Sequence, residues 1–78
     1  MLDHKKEVHE VTGTVVLVQA DRFRVQTKDG RSLLLVLGKG FQPSIREVEE
    51  FLHSGHPVAV RYRGEPDGGG VAVTIKRA

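Results

Sequence analysis

Residues 22–37 read RFRVQTKDGRSLLLVL, and they constrain the architecture more than any other part of the chain. In the first half, apolar residues alternate with arginine or glutamine, as in a strand with one buried face. Lys28, Asp29 and Gly30 form a predicted turn, in which glycine supplies the positive φ that such turns need. The second half, at 31–37, is apolar on both faces. The stretch therefore predicts an antiparallel hairpin whose outward side is partly aliphatic.

The length of the turn leaves two registers of this hairpin open. With a three-residue loop, Val25 faces Leu33, and both Leu34 and Val36 lie on the outward side. With a two-residue loop, Val25 faces Leu34, and the odd-numbered leucines of residues 31–37 turn outward instead. We favour the three-residue loop, because a glycine as its last residue suits a type I turn closed by a glycine bulge.

Downstream of the hairpin, residues 44–54 (SIREVEEFLHS) predict the one helix. Ser44 is the predicted N-cap, and Glu47 three residues later completes a capping box. Gly55 predicts the helix end, and Gly38-Lys39-Gly40 predicts the end of the third strand. Apolar residues at helical spacing form one stripe that can pack on a sheet: Ile45, Val48, Phe51 and Leu52.

The other strands are predicted on either side of these elements. Residues 11–20 are rich in β-branched side chains, and Gly13 among them indicates a bulge or a tight bend. Residues 58–63 and 71–76 alternate as strands four and five. The glycine-rich segment between them, at 64–70, predicts a flexible loop.

The order of three strands, one helix and two strands resembles the OB-fold (oligonucleotide/oligosaccharide-binding fold), a mainly β, five-stranded Greek-key barrel. In that fold the helix follows strand three, and the resemblance covers residues 11–77. An SH3-like barrel is the alternative, but it would not normally contain a full amphipathic helix at this point. The chain is similar in particular to a group of small, uncharacterised bacterial OB-type domains through these pieces: Val11-Thr12-Gly13-Thr14-Val15, Phe23-Arg24-Val25, Asp29-Gly30, Gly55-His56-Pro57-Val58 and Ile75.

Composition predicts one small domain at residues 11–78, preceded by an N-terminal arm at 1–10 that is mobile or leads into the first strand. The chain has 78 residues and no cysteine, so disulfides and thiolate metal sites are excluded. No apolar run approaches the roughly 20 residues of a membrane span. No targeting signal is evident, so we expect a cytoplasmic protein without membrane contact. Basic charge is concentrated in the predicted strands, since residues 11–40 contain five basic and two acidic side chains. Residues 41–56, which include the predicted helix, contain one basic and three acidic side chains.

The outward side of strands two and three indicates single-stranded RNA or DNA as a partner. In OB-folds this face is the usual ligand platform, and basic side chains on it can contact phosphates. Base stacking on aromatic rings contributes about 1–3 kcal/mol per base, and the chain has only three Phe, one Tyr and no Trp. This low aromatic content weakens the case for nucleic acid, and the short connection at residues 19–21 limits any clamp from the other side, so we expect a modest affinity. The candidate residues are Arg22, Arg24, Lys28, Arg31, Arg61 and Arg63.

A protein partner or a homodimer is the alternative use of the same face. Exposed aliphatic side chains rimmed by polar ones are typical of a small interface, and Leu34, Val36 and Gln26 are its candidates here. A third interpretation has no ligand, because the arm folds over these residues through Leu2 and Val8.

No residue pattern indicates catalysis, a metal or a cofactor. His53 and His56 are separated by the glycine that ends the helix, so they lack a defined ligand geometry. The glycines around Lys39 lack the full spacing of a phosphate-binding loop, and we interpret them as a turn. No nucleophile, base and orienting group occur together. We expect a non-enzymatic binding module that needs no cofactor.

Overall fold

The computed structural model describes residues 8–64 and 70–78. These residues form one helix and five strands, in the chain order that the sequence predicts. The mainly β class with one helix is therefore confirmed. The elements are β1 (Val8–Gln19), β2 (Arg22–Thr27), β3 (Ser32–Gln42), α1 (Ile45–Ser54), β4 (Val58–Arg63) and β5 (Gly70–Arg77).

The five strands form one mixed sheet in the order β1-β2-β3-β5-β4. β3 and β5 run parallel, whereas the other neighbours are antiparallel. β1 pairs twice, because residues 8–13 pair with β4 and residues 13–19 pair with β2. The strand order therefore returns on itself, and every strand has two hydrogen-bonded neighbours.

The hairpin of β2 and β3 has the three-residue loop. Phe23 pairs with Leu35, and Val25 pairs with Leu33. All four of these side chains are buried, whereas Leu34 between them is only partly covered. The favoured register is therefore confirmed.

Apolar side chains from all five strands meet on the inside of the closed sheet. A fully buried Val, Leu or Phe contributes about 1.5–3 kcal/mol relative to an exposed one, so this shared core holds the strands together. Val48 of α1 is fully buried in the same cluster, and Ile45, Phe51 and Leu52 pack against it. The strands contribute Val11, Val15, Phe23, Val25, Leu33, Leu35, Val58, Val60, Ala72 and Ile75.

Gly13 lies where β1 changes from one partner strand to the other, since it pairs with both Thr27 of β2 and Val58 of β4. A Cβ atom at this position would lie against the Gln26 carbonyl oxygen and 2.8 Å from Val25 Cγ1. The bulge in β1 falls further on, between Val15 and Leu17. Gly13 therefore permits a close approach of two backbones, as glycine does where sheets bend tightly.

β3 is longer than predicted, and the expectation that Gly38-Lys39-Gly40 ends it is wrong. The strand continues to Gln42, which pairs with Thr74 of β5. The register breaks between Leu37 and Gln42. The two glycines therefore loosen the pairing with β5 without ending the strand.

α1 begins after Ser44, but the predicted capping box is not formed. The Ser44 side chain makes no capping hydrogen bond, and the Glu47 amide instead donates to the Ser44 carbonyl at 3.1 Å. The predicted helix end is confirmed, because Gly55 adopts a left-handed conformation with φ 73°. Its amide donates to the Phe51 carbonyl at 2.9 Å.

Strand boundaries differ from the predictions at both ends of the chain. β1 begins at Val8, three residues before the predicted start, because residues 8–10 pair with β4. β5 begins at Gly70, inside the predicted loop. Residues 1–7 of the predicted arm and residues 65–69 of the predicted loop lie outside the described residues.

Replacing Gly13 by alanine should destabilise the protein by about 1–3 kcal/mol, because the added methyl group overpacks the junction of β1 and β2. Urea unfolding measures this change. Gly40→Ala is the matched control, since a Cβ at Gly40 would meet nothing within 4 Å. Equal unfolding midpoints for the two variants would contradict the role assigned to Gly13.

Candidate functional site

Eleven outward residues from the five strands line up in three cross-strand rows that we call the outer face. Directly paired residues in such rows have Cβ atoms about 4.5–5.5 Å apart, so neighbouring side chains touch. The first row contains Thr14, Gln26 and Ser32. The second contains Leu17, Arg24 and Leu34. The third contains Gln19, Arg22, Val36, Val71 and Arg63.

The residues of the outer face carry only positive charge, although the Asp21 carboxylate beside the face pairs with Arg22. The eleven residues include Arg22, Arg24 and Arg63 but no carboxylate. The acidic side chains of α1 lie elsewhere, since the helix packs mainly against β1 and the inner core. The outer face is therefore suited to an anionic ligand.

Aliphatic side chains fill the space between these arginines. Leu17 and Val71 are 39% and 37% exposed, and Leu34 and Val36 are partly covered. Leu34 and Val36 lie two residues apart on β3, and Val71 lies directly beside Val36. Arg24 lies between Leu17 and Leu34. Any ligand on this face therefore meets charged and apolar groups together.

Three of the predicted arginines are paired with carboxylates at the surface. Arg22 Nε lies 3.1 Å from Asp21 Oδ1, and Arg31 Nε lies 3.1 Å from Asp29 Oδ2. Arg61 Nε lies 3.4 Å from Glu10 Oε1. Exposed pairs of this kind contribute about 0–1 kcal/mol, so a phosphate group can displace the carboxylate at little cost.

Arg24 has a different environment. Its Nη1 donates a hydrogen bond to Ser32 Oγ at 3.0 Å. This bond joins β2 to β3 and holds the guanidinium close to the outer face. Arg24 is therefore the cation that lies nearest the centre of the three rows.

Lys28 lies in the hairpin turn at one end of the outer face. It is exposed and lines a groove of about 330 Å³ together with Thr14, Gln26 and residues of the β1 bend. The lining includes hydroxyls, an amide and an ammonium, together with the apolar side chains of Val16 and Pro57. The groove therefore runs from the first row of the outer face to the hairpin turn.

The structure brings most of the predicted site residues together, but not all. Gln26, Leu34 and Val36, the candidates for a protein interface, lie on the same face as Arg22, Arg24 and Arg63. Arg31 lies in the turn beside Asp29. Arg61 lies outside the rows, because it pairs with Glu10 of β1 and Thr74 of β5.

Sequence reasoning missed Leu17, Gln19 and Val71. Leu17 faces outward only because the β1 bulge shifts the alternation after Val15. Val71 joins the outer face because β5 pairs with β3, and pairing between distant strands has no local signal in the sequence. Gln19 could have been found from its position opposite Arg22.

Aromatic rings of the described residues pack with the core and not on the outer face. Phe23 is fully buried, and its ring centre lies 6.1 Å from that of Phe41. Phe41, Phe51 and Tyr62 pack against the core cluster. A ligand on the outer face would therefore meet arginine planes and aliphatic groups in place of an aromatic platform.

Within the described residues, no three histidine or acidic side chains cluster as metal ligands would. His56 lies 3.3 Å from Arg77 Nη2, beside the end of α1. In the same part of the chain, no helix has the length and hydropathy needed to span a bilayer.

The turn that presents Lys28 is held by hydrogen bonds among its neighbours. The Thr27 hydroxyl donates to the Asp29 carboxylate, and the Arg31 amide donates to Thr27 Oγ1 at 3.0 Å. The Thr27 hydroxyl, followed by the amide and guanidinium of Arg31, lowers the pKa of Asp29 below its ordinary value of 3.8. The ionised carboxylate is therefore part of the folded turn.

Asp29→Asn should lower stability at neutral pH and reduce the acid sensitivity of the fold. Since the folded-state pKa of Asp29 lies below 3.8, its carboxylate stabilises the fold above that pH, and the contribution is lost as the pH falls further. Urea midpoints of wild type and variant should differ near pH 6 and converge below about pH 3.8. A gap that stays constant with pH would contradict this assignment.

No family model, no curated protein and no solved structure matches this chain at a significant level.

Proposed function

We propose that this chain is an OB-type Greek-key barrel of the small bacterial kind that its sequence resembles. The strand order β1-β2-β3-β5-β4 with pairing of β4 to β1 supports the proposal. The parallel pairing of β3 with β5 and the helix between β3 and β4 support it as well. In OB-folds, the face of strands two and three and the adjoining loops bind oligonucleotides or oligosaccharides.

On this barrel we propose a non-enzymatic module that binds single-stranded RNA or DNA on its outer face. The observation that supports it most is the charge of that face, where three arginines and no carboxylate occupy eleven outward positions. Nucleic-acid phosphates are recognised by such clusters of basic side chains. A cytoplasmic location, where single strands occur, belongs to the same proposal.

The outer face offers charged contacts to the phosphates of a nucleic acid and apolar contacts to its bases and sugars. Arg22, Arg24 and Arg63 contact phosphates, with Lys28 at the turn as a fourth cation. Leu17 and Leu34 on either side of Arg24 offer apolar contact to bases and sugars. Because aromatic stacking is missing from this surface, affinity depends mainly on charge and is strongly reduced by salt.

Binding of a fluorescently labelled oligonucleotide, measured by anisotropy in RNA and DNA forms, tests the proposal. With four phosphate contacts, raising salt from about 50 to about 200 mM should weaken binding about 50-fold. Arg24→Gln should weaken binding and reduce the slope of log affinity against log salt by about 0.7.

Arg46→Gln is the matched control, because it removes the same charge from an exposed position on α1. It should bind as wild type does. The proposal fails if wild type does not bind either oligonucleotide at low salt, or if the two variants behave alike.

A homodimer through the outer face is the second candidate. The adjacent outward positions of Leu34, Val36 and Val71, with Leu17 across Arg24, favour it. Exposed aliphatic surface with a rim of arginine and glutamine is typical of a small protein interface. A second copy of this chain would bring the same aliphatic groups to cover it.

Sedimentation over a wide concentration range tests this second candidate. Wild type should sediment as a dimer at high concentration, and Leu17→Gln should shift the equilibrium toward monomer. Leu17 is 39% exposed, so the variant is expected to fold. A wild-type mass that stays monomeric at every concentration would exclude the dimer.

A further inference from the structure

A cleft opens beside the outer face where β3 separates from β5. Leu37 still pairs with Ala72, but the next paired residue of β3 is Gln42, which lies opposite Thr74. The four residues at 38–41 therefore lie opposite the single residue Val73. The cleft has a volume of about 250 Å³.

Two cations from different strands line this cleft. Lys39 comes from the loosened part of β3, and Arg63 comes from the end of β4. The other described lining residues are glycines and apolar residues, and none of them is a carboxylate. The cleft therefore has a local positive charge without an acidic counter-group among its described lining residues.

The glycines determine the shape of the cleft. A Cβ at Gly38 would lie 2.8 Å from Val71 Cγ1 and 3.1 Å from the Ala72 carbonyl oxygen, so β3 approaches β5 closely there. A Cβ at Gly40 would meet nothing within 4 Å, so the space beside this α-carbon is open two residues later. Residues 38–41 have no register partner on β5. The backbone of this segment is therefore not held in regular register with β5, which leaves room for the cleft.

The cleft is continuous with the outer face. Val71 and Arg63 belong both to the lining of the cleft and to the third row. Adjacent strands lie about 4.8 Å apart, so Arg22 and Arg63 at the two sides of Val36 and Val71 are about 14 Å apart across the sheet. A single-stranded oligonucleotide that crosses the third row from Arg22 therefore reaches the cleft.

We propose that the cleft between residues 38–41 of β3 and Val73 of β5 is a subsite for one phosphodiester group, bound by Lys39 and Arg63. The inference rests on the proposed function, because the phosphodiester belongs to the single strand on the outer face. Phosphate oxygens accept from a guanidinium on one side and an ammonium on another, which matches two cations from separate strands. The subsite marks the end of the binding path opposite Lys28.

Anisotropy titrations with the same oligonucleotide test the subsite. Lys39→Gln and Arg63→Gln should each weaken binding about 3- to 10-fold at low salt and lower the salt slope by about 0.7. Lys76→Gln is the matched control, because Lys76 is an exposed lysine near the other end of β5. It should change affinity less than two-fold.

A second measurement does not depend on a variant. In ¹⁵N-correlated NMR spectra of the wild-type protein, the Gly38 and Gly40 amide signals should shift when the oligonucleotide is added. A parallel titration with inorganic phosphate distinguishes a backbone phosphodiester from a free anion.

The possible outcomes separate the subsite from the proposed function. If Arg24→Gln weakens binding but Lys39→Gln does not, and the glycine signals stay in place, the subsite is wrong and the proposed function stands. If wild type does not bind the oligonucleotide, both are wrong. If the amide signals of Gly38 and Gly40 shift with inorganic phosphate but not with the oligonucleotide, the cleft is a free-anion site. That result would overturn the phosphodiester assignment.

Discussion

The close contact of β1 with β2 at Gly13 is the constraint on which the other features depend. At this residue β1 leaves β4 and joins β2, so one strand belongs to both sides of the closed sheet. The transfer brings the Gln26 carbonyl so close to Gly13 that a Cβ atom at this residue would clash with it. A larger residue at this position would push β1 away from β2 and strain the packing of the core side chains that both strands contribute.

The same geometry produces the outer face. Once the inward positions are assigned to the core, the outward positions of β2 are Arg22, Arg24 and Gln26. The β1 bulge after Val15 then turns Leu17 outward beside Arg24. The mixture of arginine and aliphatic side chains on this face is therefore a consequence of how the sheet closes, and both proposed uses of the face depend on it.

The hairpin and the helix could be predicted from the sequence, because their signals are local. Each of these signals predicts the element in which it lies. They are the alternation at Phe23 and Val25, the glycine of the turn and the apolar stripe of α1. The continuation of β3 past Gly38 could not be predicted, since glycine weakens a strand interior and the pairing that resumes at Gln42 joins distant segments of the chain. For the same reason, the sequence indicated the arginines of the outer face but neither Val71 nor the cleft around Lys39. These features arise from contacts between segments that are distant in the chain.

The circular order of the strands restricts how anything can be recognised here. Partners of many sheet proteins bind by adding a strand to an open sheet edge, through main-chain hydrogen bonds. Each strand among the described residues already has two neighbours, so these residues offer no fully open edge strand to that mode of binding. Recognition on the outer face therefore relies on side chains, and substitutions at the outward positions can change ligand preference while the hydrogen-bonded framework stays the same. The fold thus separates the residues that maintain the architecture from those that are free to diverge.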